Sequence, residues 1–286
     1  MISFLPPAAQ PAARELLMTP VRRIILLLGV PLSLTLLAWT CFGIISKASQ
    51  GSYTVSYSPV PVSGGLAMNV YGGDVTLQGG VAPSAAQFTG AGTVWYGLNY
   101  SGQRPTLATA QTAAGTRINF ACPGFNCALS STVDVPPQVP VTVTSNGGNV
   151  TATGISDATL QTGGGNLTVD GLTGDVSLNT DGQYGFGGAN VAGTLAAQNI
   201  TVDSGGGSVD LQLSTPPSNL NVTTEGGNVT LQLPGGYSYR VDNIPETAAQ
   251  IDQKGPAQPS AITVTTSSSS QYRITVSADS GAVTID

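Results

Sequence analysis

VTVTSNGGNVTA, residues 141–152, is the stretch from which the fold can be read. Apolar residues alternate with threonines, a Gly-Gly turn follows, and a second alternation begins at Asn149. In a strand, side chains two apart share a face, so Val141 and Val143 point one way and Thr142 and Thr144 the other. The glycines supply the backbone freedom that a sharp reversal needs.

The same phrase recurs outward from this copy. It reads ATLQTGGGNLTV at 158–169, NITVDSGGGSVDL at 199–211, NLNVTTEGGNVTL at 219–231 and ITVSADSGAVTI at 274–285. A shorter form, MNVYGGDVTL, occupies 68–77, and LTGDVSLNTDG at 172–182 keeps the rhythm with fewer glycines. Asn149 and Asn166 stand 17 residues apart, and Ser208 and Asn228 stand 20 apart. Such spacing suits coils that cannot bury their apolar face alone and stack on one another. The expected fold is therefore all-β: a right-handed β-solenoid, or β-helix-like, repeat domain. Asn149, Asn166, Ser208 and Asn228 should form a polar ladder at one corner, and the final copy should cap an open end. The alternative is an antiparallel sandwich of independent hairpins. Residues 51–140 are β-rich but less regular, and 245–261 read as a polar loop.

The N-terminus carries a different signal. Ile24–Ile45 is a run of 22 residues without a charge, long enough at roughly 33 Å to cross a hydrocarbon core of about 30 Å. Arg14, Arg22 and Arg23 precede it and only Lys47 follows. The positive-inside bias then places the N-terminus in the cytoplasm and the repeats outside. The expected organisation is a cytoplasmic tail (1–23), a single transmembrane helix in contact with membrane lipid (24–45), a linker (46–60) and an extracytoplasmic β-repeat domain (61–286). A cleaved signal peptide is the alternative, with Ser46 and Ala48 as its small residues, but the apolar run exceeds the usual length. Met18 is an alternative start. The only cysteines beyond the apolar run are Cys122 and Cys127 in CPGFNC. Two thiols without histidine cannot complete a zinc shell, so a disulfide across the Pro-Gly turn is expected.

STVDVPPQVPVTVTSNGGNVTATG (131–154), the repeated GGN-V-T units and LQLPGGYSYRVD (231–242) resemble the bacterial putative-adhesin β-strand-repeat family. The resemblance covers about residues 60–286. It implies a cell-envelope β-solenoid behind a membrane helix, and it brings no catalytic residues.

The chemistry open to the chain is narrow. The sequence contains no histidine, which removes Ser-His and Cys-His nucleophile schemes. Carboxylates could still act on glycosides, and Asp170, Asp175, Asp181, Asp203 and Asp210 are the densest group. Most adjoin turns, where Asp is favoured for local hydrogen bonding. GGGSVDLQL (205–213) only partly follows the calcium-binding nonapeptide, and GGGNL (163–167) lacks the lysine of a phosphate loop. The six Asn-x-Ser/Thr triplets, at Asn99, Asn149, Asn166, Asn199, Asn221 and Asn228, mostly follow from the wording of the repeat. The chain beyond the apolar run is acidic, which disfavours nucleic acid.

Surface recognition remains. Tyr184 and Phe186, in a segment that interrupts the repeat, form a candidate binding loop, with covering the flank of the stack as the alternative. Trp95, Tyr96 and Tyr100 have strand-packing spacing. The expected function is a non-catalytic cell-envelope protein, without cofactor or metal, that presents its β surface to a wall, glycan or protein partner. A sensing or regulatory subunit for envelope stress, working with a membrane partner, is the second reading. An exported polysaccharide-acting enzyme is the third.

Overall fold

The computed structural model describes residues 29–48, 50–80, 85–95, 106–121, 127–180, 188–242, 249–250, 263–265, 270–278 and 281–286. The chain divides into two compact units, Met1–Gln50 and Gly51–Asp286.

In the first unit, helix α1 runs Val30–Ala48. Pro31 falls in its first turn, where a missing N–H costs nothing. Ser33, Thr35 and Thr40 donate to the carbonyls of Val30, Leu32 and Leu37, so their hydroxyls are satisfied within the helix. Leu32, Leu34, Leu36, Leu37 and Trp39 are exposed, Trp39 at 82%. Among the described residues no helix is long and apolar enough to cross a membrane. The expected span over 24–45 is thus not met there. Residues 24–28 of the apolar run lie outside the described residues, and the last turn of α1 holds the polar pair Ser46 and Lys47.

The second unit is almost all strand. The first seven are β1 (Gln50–Pro61), β2 (Gly65–Val70), β3 (Val75–Gly79), β4 (Ala85–Trp95), β5 (Thr106–Thr112), β6 (Gly115–Ala121) and β7 (Cys127–Val135). The regular copies follow as β8 (Val141–Ser145), β9 (Val150–Thr153), β10 (Ser156–Thr162), β11 (Leu167–Asn179), β12 (Val191–Asp203), β13 (Val209–Leu213), β14 (Asn219–Thr224) and β15 (Val229–Gln232). The last are β16 (Ser238–Asp242), β17 (Ala249–Gln250), β18 (Thr263–Thr265), β19 (Tyr272–Ala278) and β20 (Val283–Ile285).

These strands pair into two ladders. The first runs β6–β2–β8–β10–β11–β12–β14–β19–β16–β18, parallel at every step, with β5 antiparallel at the β6 end. The second runs β7–β3–β9–β11–β12–β13–β15–β20–β17, also parallel, with β4 antiparallel on β7. The long strands β11 and β12 serve both, their first halves in the second ladder and their second halves in the first. Independent hairpins pair antiparallel, so a parallel run of this length requires successive copies to lie side by side.

The alternation seen in the sequence sets the core. Val141, Val143, Val150, Leu160, Leu167, Val169, Leu178, Val202, Leu211, Val222 and Leu231 are all buried within one cluster. A slip of one residue would turn each outward, which pins the register.

Spatial order departs from chain order at both ends. The copy at β2–β3 lies between β6–β7 and β8–β9, although β4 to β7 come between β3 and β8 in the chain. The final copy, β19–β20, lies between β14–β15 and the β16–β17 strands. The sequence leads one to expect a cap on an open end, and the final copy is not one. It fills an internal slot that the chain passes over between Gln232 and Ser238.

Candidate binding surface

Among the described residues, the turns of successive copies stack on one another. Gly73, Gly148, Gly165, Ala189, Gly207, Gly227 and Gly281 follow one another up the stack, and a Cβ on Gly148, Gly165, Gly207, Gly227 or Gly281 would collide with the backbone carbonyl of the residue below. Close approach of one turn to the next is what requires glycine at those five positions, whereas the column accommodates a Cβ at Ala189.

Beside this column runs a polar ladder. The Asn149 amide donates to Asp74 Oδ1 (2.9 Å), Asn166 to Asn149 Oδ1 (2.9 Å), Asn190 to Asn166 Oδ1 (2.8 Å) and Ser208 to Asn190 Oδ1 (2.9 Å). Ala282 closes on Asn228 Oδ1 at 3.0 Å. The four expected residues are therefore on one corner. Asp74 and Asn190 are two further rungs: Asp74 lies in the short copy at 68–77, where an aspartate takes the asparagine's place, and Asn190 follows an interruption of the repeat.

A third column lies inside. Ser145, Thr162, Thr180, Ser204 and Thr224 are buried polar residues. Ser204 donates to the Gly207 carbonyl (2.6 Å) and Thr162 to that of Gly165, while the Thr224 hydroxyl lies 3.1 Å from the carbonyls of both Gly205 and Gly207 and shares its one proton between them. Thr180 reaches the carbonyls of Ala189 and Ser204, each at 3.0 Å. These hydroxyls satisfy turn carbonyls that the tight stacking removes from water.

The outer face of the first ladder is polar and uncharged along one line. Thr142, Thr159, Ser177, Thr201, Asn221 and Thr275 are register partners in succession. None is buried. With strands about 4.8 Å apart, the six rungs extend about 24 Å.

The candidate carboxylates do not converge. Asp170 accepts from the Thr194 hydroxyl, and Asp175 accepts from Asn199 Nδ2 at 2.7 Å. The amide of Asp175 in turn donates to Asp157 Oδ1 (2.9 Å), and Asn219 Nδ2 continues this row to Asn199 Oδ1 (3.0 Å). Asp203 accepts from the Gly205 amide, and Asp210 is exposed on β13. Asp181 lies outside the described residues. Among the described residues no three His, Cys, Asp or Glu side chains form a metal-binding group.

Other expected sites also fall outside. Tyr184, Phe186, Tyr96, Tyr100 and Cys122 are not among the described residues, and of Cys127 and Trp95 only the strand positions are. The expected Cys122–Cys127 disulfide and the candidate loop at Tyr184 and Phe186 therefore lie beyond what the structure describes.

A charged cluster that sequence spacing did not reveal sits toward the C-terminal end of the first ladder. Arg240 and Arg273 are direct register partners on β16 and β19. Arg240 Nε donates to Asp242 Oδ1 (2.9 Å) and Arg273 Nε to Asp242 Oδ2 (3.0 Å). The Arg240 hydrogen bond, aided by Arg273, holds the Asp242 carboxyl below its ordinary pKa against the smaller opposing effect of desolvation. Next to the pair, Tyr239 and Tyr272 are also partners, with ring centroids 5.7 Å apart, and Tyr237 meets Tyr272 edge-on at 5.5 Å. Burial, with smaller contributions from Tyr237 and Tyr272, pushes the Tyr239 hydroxyl well above its usual range, and it donates to the Pro234 carbonyl at 2.9 Å.

No protein-family model matches the chain, and no curated protein sequence matches it. Among solved structures it is similar to a putative cell adhesion protein from Clostridium sporogenes, with 9% identity and a TM-score of 0.31 over 82% of this chain and 98% of that one. A putative adhesin from Bacteroides fragilis gives 8% identity and a TM-score of 0.28 over 82% and 97%. A putative adhesin from Parabacteroides merdae gives 11% identity and a TM-score of 0.28 over 83% and 96%.

Proposed function

We propose that this chain is a non-catalytic, membrane-anchored protein of the cell envelope, whose parallel ladders wind as a right-handed β-solenoid and whose polar outer face binds an extended partner. The observation that carries this reading is the uncharged row from Thr142 to Thr275, with hydroxyls and one amide repeating at the strand spacing. A row of this kind offers a donor and an acceptor at each rung along a line. It suits a polymer or a flat partner surface better than a small substrate, which is usually held in a concave pocket. The separated carboxylates, each tied to a neighbouring amide or hydroxyl or left on an open face, favour binding over bond cleavage. The exposed leucines and Trp39 of α1 support an anchor, since such a surface is costly in water. The arginines before the apolar run support a cytoplasmic N-terminus.

The test is a sedimentation assay of the full chain in detergent micelles with insoluble cell-wall polymer. The chain should co-sediment, and Thr159→Glu with Thr201→Glu should abolish this while leaving the thermal melt unchanged. Equal co-sedimentation by the double variant would remove the face from the reading. Orientation is tested in cells, where externally added protease should reach the repeats and spare a tag at the N-terminus.

A further inference from the structure

We propose that Arg240 and Arg273, aligned by Asp242, form a binding site for a compact oxyanion, a carboxylate or phosphate group carried on a ligand. This site goes beyond the polar row and does not depend on it. Two like charges placed directly opposite on neighbouring strands repel each other. Here they are two of only nine lysines and arginines in the chain, which is net acidic at −6. A single carboxylate neutralises one of the two charges, so the cluster keeps a net positive charge.

The geometry of the pairing matters as much as the charge. Each guanidinium meets Asp242 through its Nε. The outer amino groups of both arginines make no hydrogen bond among the described residues. Asp242 thus fixes both planar groups at their inner edge and leaves their outer edges, the donor sets that grip carboxylate and phosphate, for a ligand. The Arg273 side chain is 58% exposed, so the site is open to solvent.

The experiment is an NMR titration of the full chain in detergent micelles, observing the arginine Nε–H signals. The probes are inorganic phosphate, glucuronate and, as a neutral control, glucose. Saturable shifts of the Arg240 and Arg273 signals are expected with at least one anion and none with glucose, and the anion that binds more tightly identifies the source of the oxyanion. Arg273→Gln should weaken binding at least about tenfold, whereas Arg117→Gln, which removes an exposed arginine on β6, should leave it unchanged. Thermal melts of both variants establish that the fold is kept, and Arg273→Lys repeats the test if Arg273→Gln does not fold. No saturable shift with either anion would overturn the proposal. So would an equal loss in Arg117→Gln, which would mean general attraction to positive charge.

Discussion

At the scale of single residues, the turn glycines and the turn polar residues do different work. Gly148 is a steric requirement: its added Cβ would meet the Gly73 carbonyl, whereas one on Gly147 would meet nothing. Gly148→Ala should therefore cost about 1–3 kcal/mol, as overpacking does, and Gly147→Ala should stay within about 0.5 kcal/mol. Urea denaturation of the two variants measures the difference, and equal midpoints would contradict the stacked turns. Asp242 gives a prediction in pH. Its folded pKa is lowered by Arg240 first and Arg273 second, so its stabilisation is present above the unfolded value of about 3.9 and is lost as pH falls through the folded one. The gap in melting temperature between the native chain and Asp242→Asn should hold steady above about pH 4 and close on further acidification. A gap that persists to the lowest pH tolerated would mean that the two arginines do not hold this carboxylate.

At the scale of elements, the strands obey a simple alternation, and that is why so much of them was legible. In β11, Leu167, Val169, Leu172, Val176 and Leu178 are buried while Thr168 and Asp170 are exposed. Leu178→Ala should cost about 2–5 kcal/mol, and Ser177→Ala, one residue away on the outer face, should stay within about 0.5 kcal/mol. Denaturant midpoints decide this; a large loss at Ser177 would mean the register is shifted by one. The corner ladder was legible for the same reason, since Asn149 and Asn166 occupy equivalent places in successive copies. The buried hydroxyls were not. Thr162 and Thr224 keep the inward parity of Leu160 and Val222, but their residue type gives no sign of a core position, and only the turn carbonyls beside them explain a buried hydroxyl. The Arg240–Asp242–Arg273 cluster was hidden for another reason. Its members come from β16 and β19, and nothing in the sequence says that strands whose residues Asp242 and Arg273 stand 31 positions apart adjoin.

At the scale of the whole repeat unit, copies of the phrase pair with copies of the phrase, wherever the chain must travel to bring them together. β2–β3 and β19–β20 each have a copy of the phrase on one side and strands outside the repeat, β6–β7 and β16–β17, on the other, so neither is at an end. Repetition in a sequence shows which segments are alike, but the order of stacking depends on which neighbour buries each face best. The closing segment has a particular consequence. Ile274, Val276, Ala278, Val283 and Ile285 are buried in the shared core, and β19 pairs with β14 on one side and β16 on the other. Loss of a true cap would expose one end of the stack and leave the rest in place. Loss of residues 270–286 should instead bare the edges of β14 and β15 and separate β16–β18 from everything before them. Limited trypsin digestion reads this directly. Arg240, paired on both sides in the full chain, should become a rapid cleavage site in the truncated chain, and a synthetic peptide of residues 270–286 should restore its protection. Continued protection of Arg240 without the closing segment would show that β16 is held by something other than β19.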